Sequence, residues 1–344
     1  MEPWSTPLRG RLEEHVFESA ALRGNLLGDP ADRPLWVYLP PAYDAEPDRR
    51  FPSIYLIQGM KGQIDMWRNR SAFRPTVLEG IDELFAVGVP PAPPAIVIFV
   101  DCWTSYGGSQ FIDSPGTGRY GTYLADEVVD WVDSHYRTVA APGNRGISGH
   151  SSGGYGAMIN ALHRPDRFGG LATHAGDALF EVSYQGDFAI VARALRDGFN
   201  GSYERWWTDF RSRPAFSKTF DAVLLNAYAM AACYSTDPDG MVRLPFDPAT
   251  GELIPEIWAR WLAWDPVRIA RTVQGIAALR ALRAIYIDAG IHDEYHLDLG
   301  AEAFRQACAA AGSVTPFFEL FDAGHGQIEY RYPIALRYLA ERLA

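Results

Sequence analysis

Nearly continuous apolar runs and helix-spaced apolar positions alternate along most of the chain. The runs 53–57 and 95–101 are almost entirely apolar, which is typical of strands buried on both faces of a parallel sheet. Between them, apolar residues recur at helical spacing over 77–87. The alternation predicts an α/β fold, with a mostly parallel central sheet covered by helices on both faces.

The same patterns predict the remaining elements of this fold. A long polar loop, rich in glycine and serine, is expected over 107–121. Further strands are predicted at 11–17, 35–39, 146–148, 168–174, 284–288 and 315–321, and further helices at 123–136, 155–162, 299–311 and 333–344.

The alternation stops over 178–265, where the chain favours helices and shows no clear strand. Because sites in open α/β sheets lie at the carboxyl edge of the strands, we interpret this stretch as a helical insertion that forms a lid. One domain would then span 1–344; the alternative is a second helical domain with its own core. The aromatic residues of the insertion, which would set substrate choice, are Trp206, Trp207, Phe210, Phe216, Phe220, Tyr228, Trp258, Trp261 and Trp264.

A Gly-x-Ser-x-Gly motif lies at the centre of the chain. It comprises Gly149, Ser151 and Gly153, with a strand-like stretch before it and a helix-compatible stretch after it. This is the nucleophile-elbow pattern of α/β-hydrolases, in which a strained turn raises the serine hydroxyl above the sheet. Side chains at the flanking glycines would collide with neighbouring backbone. The motif therefore predicts Ser151 as a nucleophile.

A serine hydroxyl needs a histidine base, and that histidine needs an orienting carboxylate. In this fold the chain order is serine, acid, histidine, on loops that follow late strands. Asp293 follows the strand predicted at 284–288, and His325 follows the strand predicted at 315–321. We therefore predict Asp293 as the acid and His325 as the base.

Neighbouring residues compete for these roles. Glu294 and Asp298 are alternatives to Asp293, while His292 and His296 precede the last strand, where the chain order does not place the base. His150 lies inside the elbow and is expected to point away from the serine hydroxyl.

Two backbone N–H groups should meet the oxyanion of the tetrahedral intermediate. Ser152 follows the nucleophile, and Met60 lies in the loop after an early strand, so their N–H groups are predicted to form the oxyanion hole. An ordinary turn is the alternative interpretation of the Met60 loop. The weaker candidates for substrate contact are Gln58, Trp67, Trp103 and His174.

Composition narrows the range of partners and compartments. A formal net charge of -11 argues against nucleic acid and anionic membrane surfaces as partners. The three cysteines are far apart, no CxxC or HExxH occurs, and we expect no disulfide framework, no metal and no cofactor. With no signal-peptide pattern and no stretch of transmembrane length, a cytoplasmic protein is expected. The oligomeric state stays open, a homodimer included.

These motifs resemble those of the esterases of the esterase D and S-formylglutathione hydrolase type, a family that includes mycolyltransferases and feruloyl esterases. The matching stretches are 37–43, 55–60, 114–120, 149–154 and the loops of Asp293 and His325. The resemblance implies an α/β-hydrolase fold and cofactor-free serine ester hydrolysis. It also implies Ser151 as nucleophile, Asp293 as acid, His325 as base and Met60 as an oxyanion donor. Gln58 stands where the family often has His, Ser or Asp, and the formylglutathione hydrolases lack an insertion like this one.

The leading prediction is a serine carboxylic-ester hydrolase that acts on a small-molecule ester through an acyl-enzyme. One alternative is an acyltransferase of mycolyltransferase type, which would move the acyl group to a sugar or another alcohol. These two activities differ only in what attacks the acyl-enzyme. A relative that binds a ligand without catalysis is the third candidate, and the intact set of Ser151, Asp293 and His325 argues against it.

Overall fold

The computed structural model describes residues 5–215 and 217–344, and the main sheet of this part of the chain has eight strands. The strands are β1 (Arg11–Glu18), β2 (Asp32–Leu39), β3 (Ser53–Ile57), β4 (Ile96–Val100), β5 (Arg145–His150), β6 (Gly170–His174), β7 (Ala284–Gly290) and β8 (Phe317–Phe321). Their spatial order is β1-β2-β4-β3-β5-β6-β7-β8, with β1 and β2 antiparallel to their neighbours and the other pairs parallel. The mostly parallel sheet predicted from the alternation is confirmed. Phe216 lies outside the described residues.

Helices fill the connections between these strands. No helix among the described residues is long and apolar enough to cross a lipid bilayer. The helices are α1 (Pro41–Ala45), α2 (Val77–Ala86), α3 (Tyr120–Thr122), α4 (Val129–His135), α5 (Ser152–His163), α6 (Phe180–Ser183), α7 (Gln185–Phe199), α8 (Tyr203–Ser212), α9 (Asp221–Tyr234), α10 (Pro255–Leu262), α11 (Pro266–Ile269), α12 (Val273–Ala281), α13 (Leu297–Ala311) and α14 (Tyr332–Leu343).

Apolar packing covers the sheet on both faces. On one face, Leu336 and Leu339 of α14 pack in a cluster with Ile54 of β3. On the other face, Ala157 of α5 packs in a cluster with Ile147 of β5. Every residue of β3 and β4 is buried, as the apolar runs predicted. The sheet is therefore a rigid middle layer that fixes the positions of the loops at its carboxyl edge.

Two regions depart from the simple alternation. The predicted loop over 107–121 contains parts of two short antiparallel hairpins, and its last residues already belong to α3. The helix predicted over 123–136 starts with a π-helical turn, Tyr123–Val128, before α4 begins. Two-residue strands and a widened helical turn leave no hydrophobic period that a sequence pattern can reveal.

Residues 178–265, which we call the helical segment, carry α6 to α10 between β6 and β7. The buried carboxylate of Asp265 joins the two ends of this segment. It accepts hydrogen bonds from the backbone N–H groups of Leu179 at 3.2 Å and Phe180 at 3.1 Å. It also accepts the N–H of Val267 at 2.9 Å, at the start of α11. The two ends of the helical segment thus meet at one carboxylate, and α11 and α12 then lead to β7.

Candidate active site

Ser151 occupies a sharp turn between β5 and α5. Its φ of 59° and ψ of -126° lie outside the ordinary regions for a residue with a side chain. A Cβ on Gly149 would lie 2.7 Å from the Cα of Gly153, and a Cβ on Gly153 would lie 2.5 Å from the carbonyl oxygen of Ile57. Both glycines are therefore required by close backbone approach, and the turn holds Ser151 above the end of the sheet.

Three side chains meet at this turn in a continuous hydrogen-bonded chain. His325 Nε2 lies 3.0 Å from Ser151 Oγ, and His325 Nδ1 lies 2.8 Å from Asp293 Oδ2. The Asp293 side chain is buried, and its Oδ1 accepts the backbone N–H of Tyr295 at 2.9 Å. A hydroxyl, an imidazole and a carboxylate in this order can pass a proton from oxygen to nitrogen while the carboxylate holds the ring.

The loops that carry Asp293 and His325 are tied to each other through their backbones. The N–H of His292 donates to the carbonyl oxygen of Ala323 at 3.0 Å. Glu294 Oε2 accepts the backbone N–H of His325 at 2.8 Å, and this bond helps to hold the pKa of Glu294 below its usual value. Glu294, a rival of Asp293 for the role of the acid, thus contacts the backbone of His325, whereas Asp293 contacts its ring.

Three rival residues do not join this chain of hydrogen bonds. They are His292, His296 and Asp298, which the sequence alone offers as alternatives to His325 and Asp293. His292 is exposed and lies 3.1 Å from Asp322. His296 comes immediately before α13, and Asp298 lies in the first turn of that helix.

We expected the His150 ring to point away from the serine hydroxyl, but the structure places this ring at the site. Its ring packs against the ring of His325, with 4.5 Å between the centroids, and it lines the cavity described below. Burial lowers the pKa of His150 to about 3, and the neighbouring charges of His325 and His174 act in the same direction. His150 is therefore neutral at physiological pH and adds no positive charge beside His325.

The two predicted oxyanion donors, Ser152 and Met60, belong to the elements next to Ser151. Ser152 begins α5, and the first N–H groups of a helix have no partner within the helix. Met60 follows Gly59, where an added Cβ would lie 3.6 Å from the Cβ of Ser151. Met60 and Ser152 both line the cavity. Both residues thus share the cavity with Ser151, and their role as oxyanion donors stays a prediction.

A cavity of about 520 Å³ opens above Ser151. One wall comes from the sheet side and includes Met60, His150 and His325. The helical segment supplies another part of the wall, mainly from α7 and α9. The wall residues that these two helices contribute are Asp187, Ile190, Ala222, Val223, Leu225 and Asn226. Sequence reasoning missed them because no motif marks which face of a helix meets a cavity.

The four weaker candidates for substrate contact do not line this cavity, which corrects that expectation. Trp67 is fully buried between the rings of Phe99 and Tyr332, at centroid distances of 5.5 and 5.3 Å. His174 is buried, with its Nδ1 2.6 Å from Asp288 Oδ1. Gln58 is buried and Trp103 is partly buried, and neither side chain lines the cavity. Packing under the loops explains why large side chains near a site need not reach it.

Comparison with known proteins identifies the family. Residues 30–314 match the family model described as "Putative esterase", and the chain therefore belongs to this esterase family. An esterase of Mycobacterium tuberculosis is 28% identical over 159 residues, a match that covers 45% of this chain and 30% of that protein. The match thus spans about a third of the length of this relative.

Solved structures resemble the chain over nearly its whole length. A ferulic acid esterase has a TM-score of 0.61 at 18% identity, with 98% of this chain and 100% of that chain covered. An S-formylglutathione hydrolase from Agrobacterium tumefaciens has a TM-score of 0.56 at 16% identity, with 99% and 98% covered. At these identities the likeness establishes the fold, which is that of the α/β-hydrolases.

Proposed function

We propose that this member of the esterase family is a serine carboxylic-ester hydrolase that works through an acyl-enzyme. Ser151 would be the nucleophile, His325 the general base and Asp293 the residue that orients His325. The observation that carries the proposal is the hydrogen-bonded chain from Ser151 Oγ through the ring of His325 to Asp293 Oδ2. It ends in an open cavity large enough for a small ester.

In the first half of the reaction, Ser151 Oγ attacks the ester carbonyl carbon while His325 Nε2 takes the hydroxyl proton. The carbonyl oxygen becomes an oxyanion, which accepts hydrogen bonds from the N–H groups of Ser152 and Met60. The intermediate then collapses. The bond to the alcohol oxygen breaks, His325 returns its proton to that oxygen, and the acyl group stays on Ser151.

Water completes the reaction by the same route. His325 Nε2 removes a proton from water, the resulting hydroxide attacks the acyl carbon, and Ser151 leaves with its proton restored by His325. Asp293 stabilises the imidazolium in both halves, because its buried carboxylate lies 2.8 Å from Nδ1. An alcohol in place of water would give acyl transfer by the same steps.

We further propose that the helical segment is a lid within a single hydrolase domain. Its helices α7 and α9 contribute a wall of the cavity above Ser151. Contacts remote from the reacting bond decide which ester is favoured, while the residues around Ser151 break the bond.

The nucleophile is tested by replacing Ser151 with alanine and labelling the native enzyme with a fluorophosphonate. Ser151→Ala should lower kcat by several orders of magnitude while the melting temperature is retained. Mass spectrometry of the labelled native enzyme should find the adduct on Ser151. Ser152→Ala, which keeps the backbone N–H, is the matched control and should still be labelled. An adduct on Ser148 or Ser152 would refute the assignment.

A further inference from the structure

Asp177 presents a buried carboxylate to the cavity, beside the residue that follows the nucleophile. Only 7% of Asp177 is exposed, and it lines the cavity wall. Its Oδ2 accepts all three of its hydrogen bonds, from Tyr184 Oη at 2.9 Å, Gln110 Nε2 at 3.2 Å and Ser152 Oγ at 3.2 Å. Its Oδ1 accepts none from the described residues. One carboxylate oxygen is thus fixed by the protein, and the other is left to meet a ligand.

Asp177 differs from several other buried carboxylates of this chain in lacking a cation. Burying a carboxylate is costly, and a neighbouring positive charge is one of the ways in which this cost is offset. Within the described part of the chain, no basic side chain forms an ion pair with Asp177. Three other buried carboxylates each form such a pair: Asp101 with Arg33, Asp221 with Arg213, and Asp288 with Arg331.

The surroundings of Asp177 favour a positively charged partner. Its carboxylate shares the cavity wall with those of Asp187 and Glu294, against the single ammonium group of Lys61 on that wall. Burial raises the pKa of Asp177, and the hydrogen bond from Tyr184 and the charge of His325 oppose this rise. A cation brought to Oδ1 would stabilise the ionised form and would compensate its burial.

We propose that Asp177 binds an ammonium group of the substrate, so that this site takes cationic esters. The inference rests on the proposed function, because the ammonium group would belong to the ester that Ser151 attacks. Since Asp177 contacts Ser152, the ammonium group lies a few bonds from the scissile carbonyl. Two kinds of ester offer this chemistry: one carries the amine on its acyl part and the other on its alcohol part.

The test measures binding to Ser151→Ala, which holds the ester without turning it over. Methyl 3-aminopropanoate carries the ammonium group on the acyl side, and 2-aminoethyl butanoate carries it on the alcohol side. Methyl butanoate is the neutral control. Calorimetry at neutral pH should show that one of the two cationic esters binds roughly ten- to a hundredfold more tightly than methyl butanoate, as expected for a charge-assisted hydrogen bond. Equal binding of all three esters would overturn the proposal.

Asp177→Asn, added to Ser151→Ala, removes the charge and keeps the shape of the side chain. It should abolish the preference for the cationic ester and leave the affinity for methyl butanoate unchanged. Asp187→Asn is the matched control, because it removes the same charge from the same cavity wall. An equal loss of preference in both variants would show a general field of the cavity and overturn the specific role of Asp177.

These binding measurements are independent of catalysis. If fluorophosphonate labelling of Ser151 failed while the ammonium preference persisted and depended on Asp177, the hydrolase proposal would fall and the binding site would stand. If labelling succeeded and the preference were absent, the reverse would hold. The three-ester comparison needs no change at Asp177, so equal binding of the esters would overturn the proposal even if Asp177→Asn does not fold.

Discussion

Two adjacent carboxylates hold His325 in different ways. Asp293 accepts from the ring at Nδ1, and in the proposed mechanism it fixes the tautomer and stabilises positive charge there. Glu294 accepts from the backbone N–H of the same residue and so holds the loop. A neutral acceptor can replace a carboxylate that holds a backbone N–H, but it cannot replace one that stabilises an imidazolium.

Asp293→Asn should therefore lower kcat by about 10⁴-fold, the effect known for removal of a triad carboxylate charge. Glu294→Gln should keep most of the activity, because its amide oxygen still accepts the N–H of His325. Turnover of p-nitrophenyl acetate and the melting temperature of each variant are the measurements. If Glu294→Gln were inactive and Asp293→Asn active, the assignment of the acid would be wrong.

At the scale of elements, some side chains of the helical segment pack its helices together, and others contact the cavity. Trp206 on α8 is fully buried, and its Nε1 donates to Asp221 Oδ1 at 3.2 Å. Ile190 on α7 is 45% exposed and lines the cavity. Trp206, one of the aromatic residues that the sequence suggested for substrate choice, thus packs α8, whereas an aliphatic residue of α7 lines the cavity.

These two positions predict different consequences of truncation. Trp206→Ala should destabilise the fold by about 3–5 kcal/mol and scale down all esters alike, because it empties a buried site. Ile190→Ala should leave the melting temperature nearly unchanged and shift the ratio of kcat/KM between short and bulky esters. Thermal melts and an ester panel measure both effects. A changed ester ratio in Trp206→Ala, with none in Ile190→Ala, would contradict this division.

At the scale of the whole molecule, buried ion pairs make stability depend on acid pH. Asp221 at the start of α9 is an example. The hydrogen bond from Arg213 is the main cause that lowers the pKa of Asp221 from 3.8 to about 2, against the opposing effect of burial. Because the folded pKa lies below the unfolded one, this carboxylate stabilises the fold above about pH 4. The contribution is lost as the pH falls toward 2.

Asp221→Asn should therefore lower the free energy of unfolding at neutral pH by about 2 kcal/mol, the value of such a pKa shift. The difference from the native chain should shrink between about pH 4 and pH 2 as the native carboxylate is protonated. Urea unfolding of the native chain and of Asp221→Asn, between about pH 4 and pH 2, measures this difference in the free energy of unfolding. If the difference in the free energy of unfolding stayed constant with pH, the lost stability would come from packing and not from charge.

The sheet was predictable because its central strands differ in composition from every loop around them. The runs that end at Ile57 and Val100 are almost entirely apolar, and a strand covered on both faces tolerates such a run. The elbow was equally visible, since two glycines forced by backbone contact leave a fixed spacing around Ser151. Short hairpins and the π-helical turn escaped prediction, because their geometry depends on tertiary contacts.

Contacts across the cavity could not be predicted from the sequence. Asp177 has no motif around it, and its importance follows only from the side chains that converge on one of its oxygens. Trp67 illustrates the opposite case, because its type and position suggested a pocket although its ring packs in the core. Chain order helps to rank the candidate residues within a loop. How deeply a side chain is buried and which way it points are set by the folded structure.

The joint at Asp265 bears on how proteins of this architecture diversify. Since both ends of the helical segment are fastened to one carboxylate, the stretch after β6 meets the start of α11 there, as it would across a short loop. The segment is in effect a cassette, and replacing it with one of different length leaves the strand spacing unchanged. Recombination in nature, or grafting in the laboratory, can then change the covering of the cavity in a single step while the sheet and the loops around Ser151 are inherited intact.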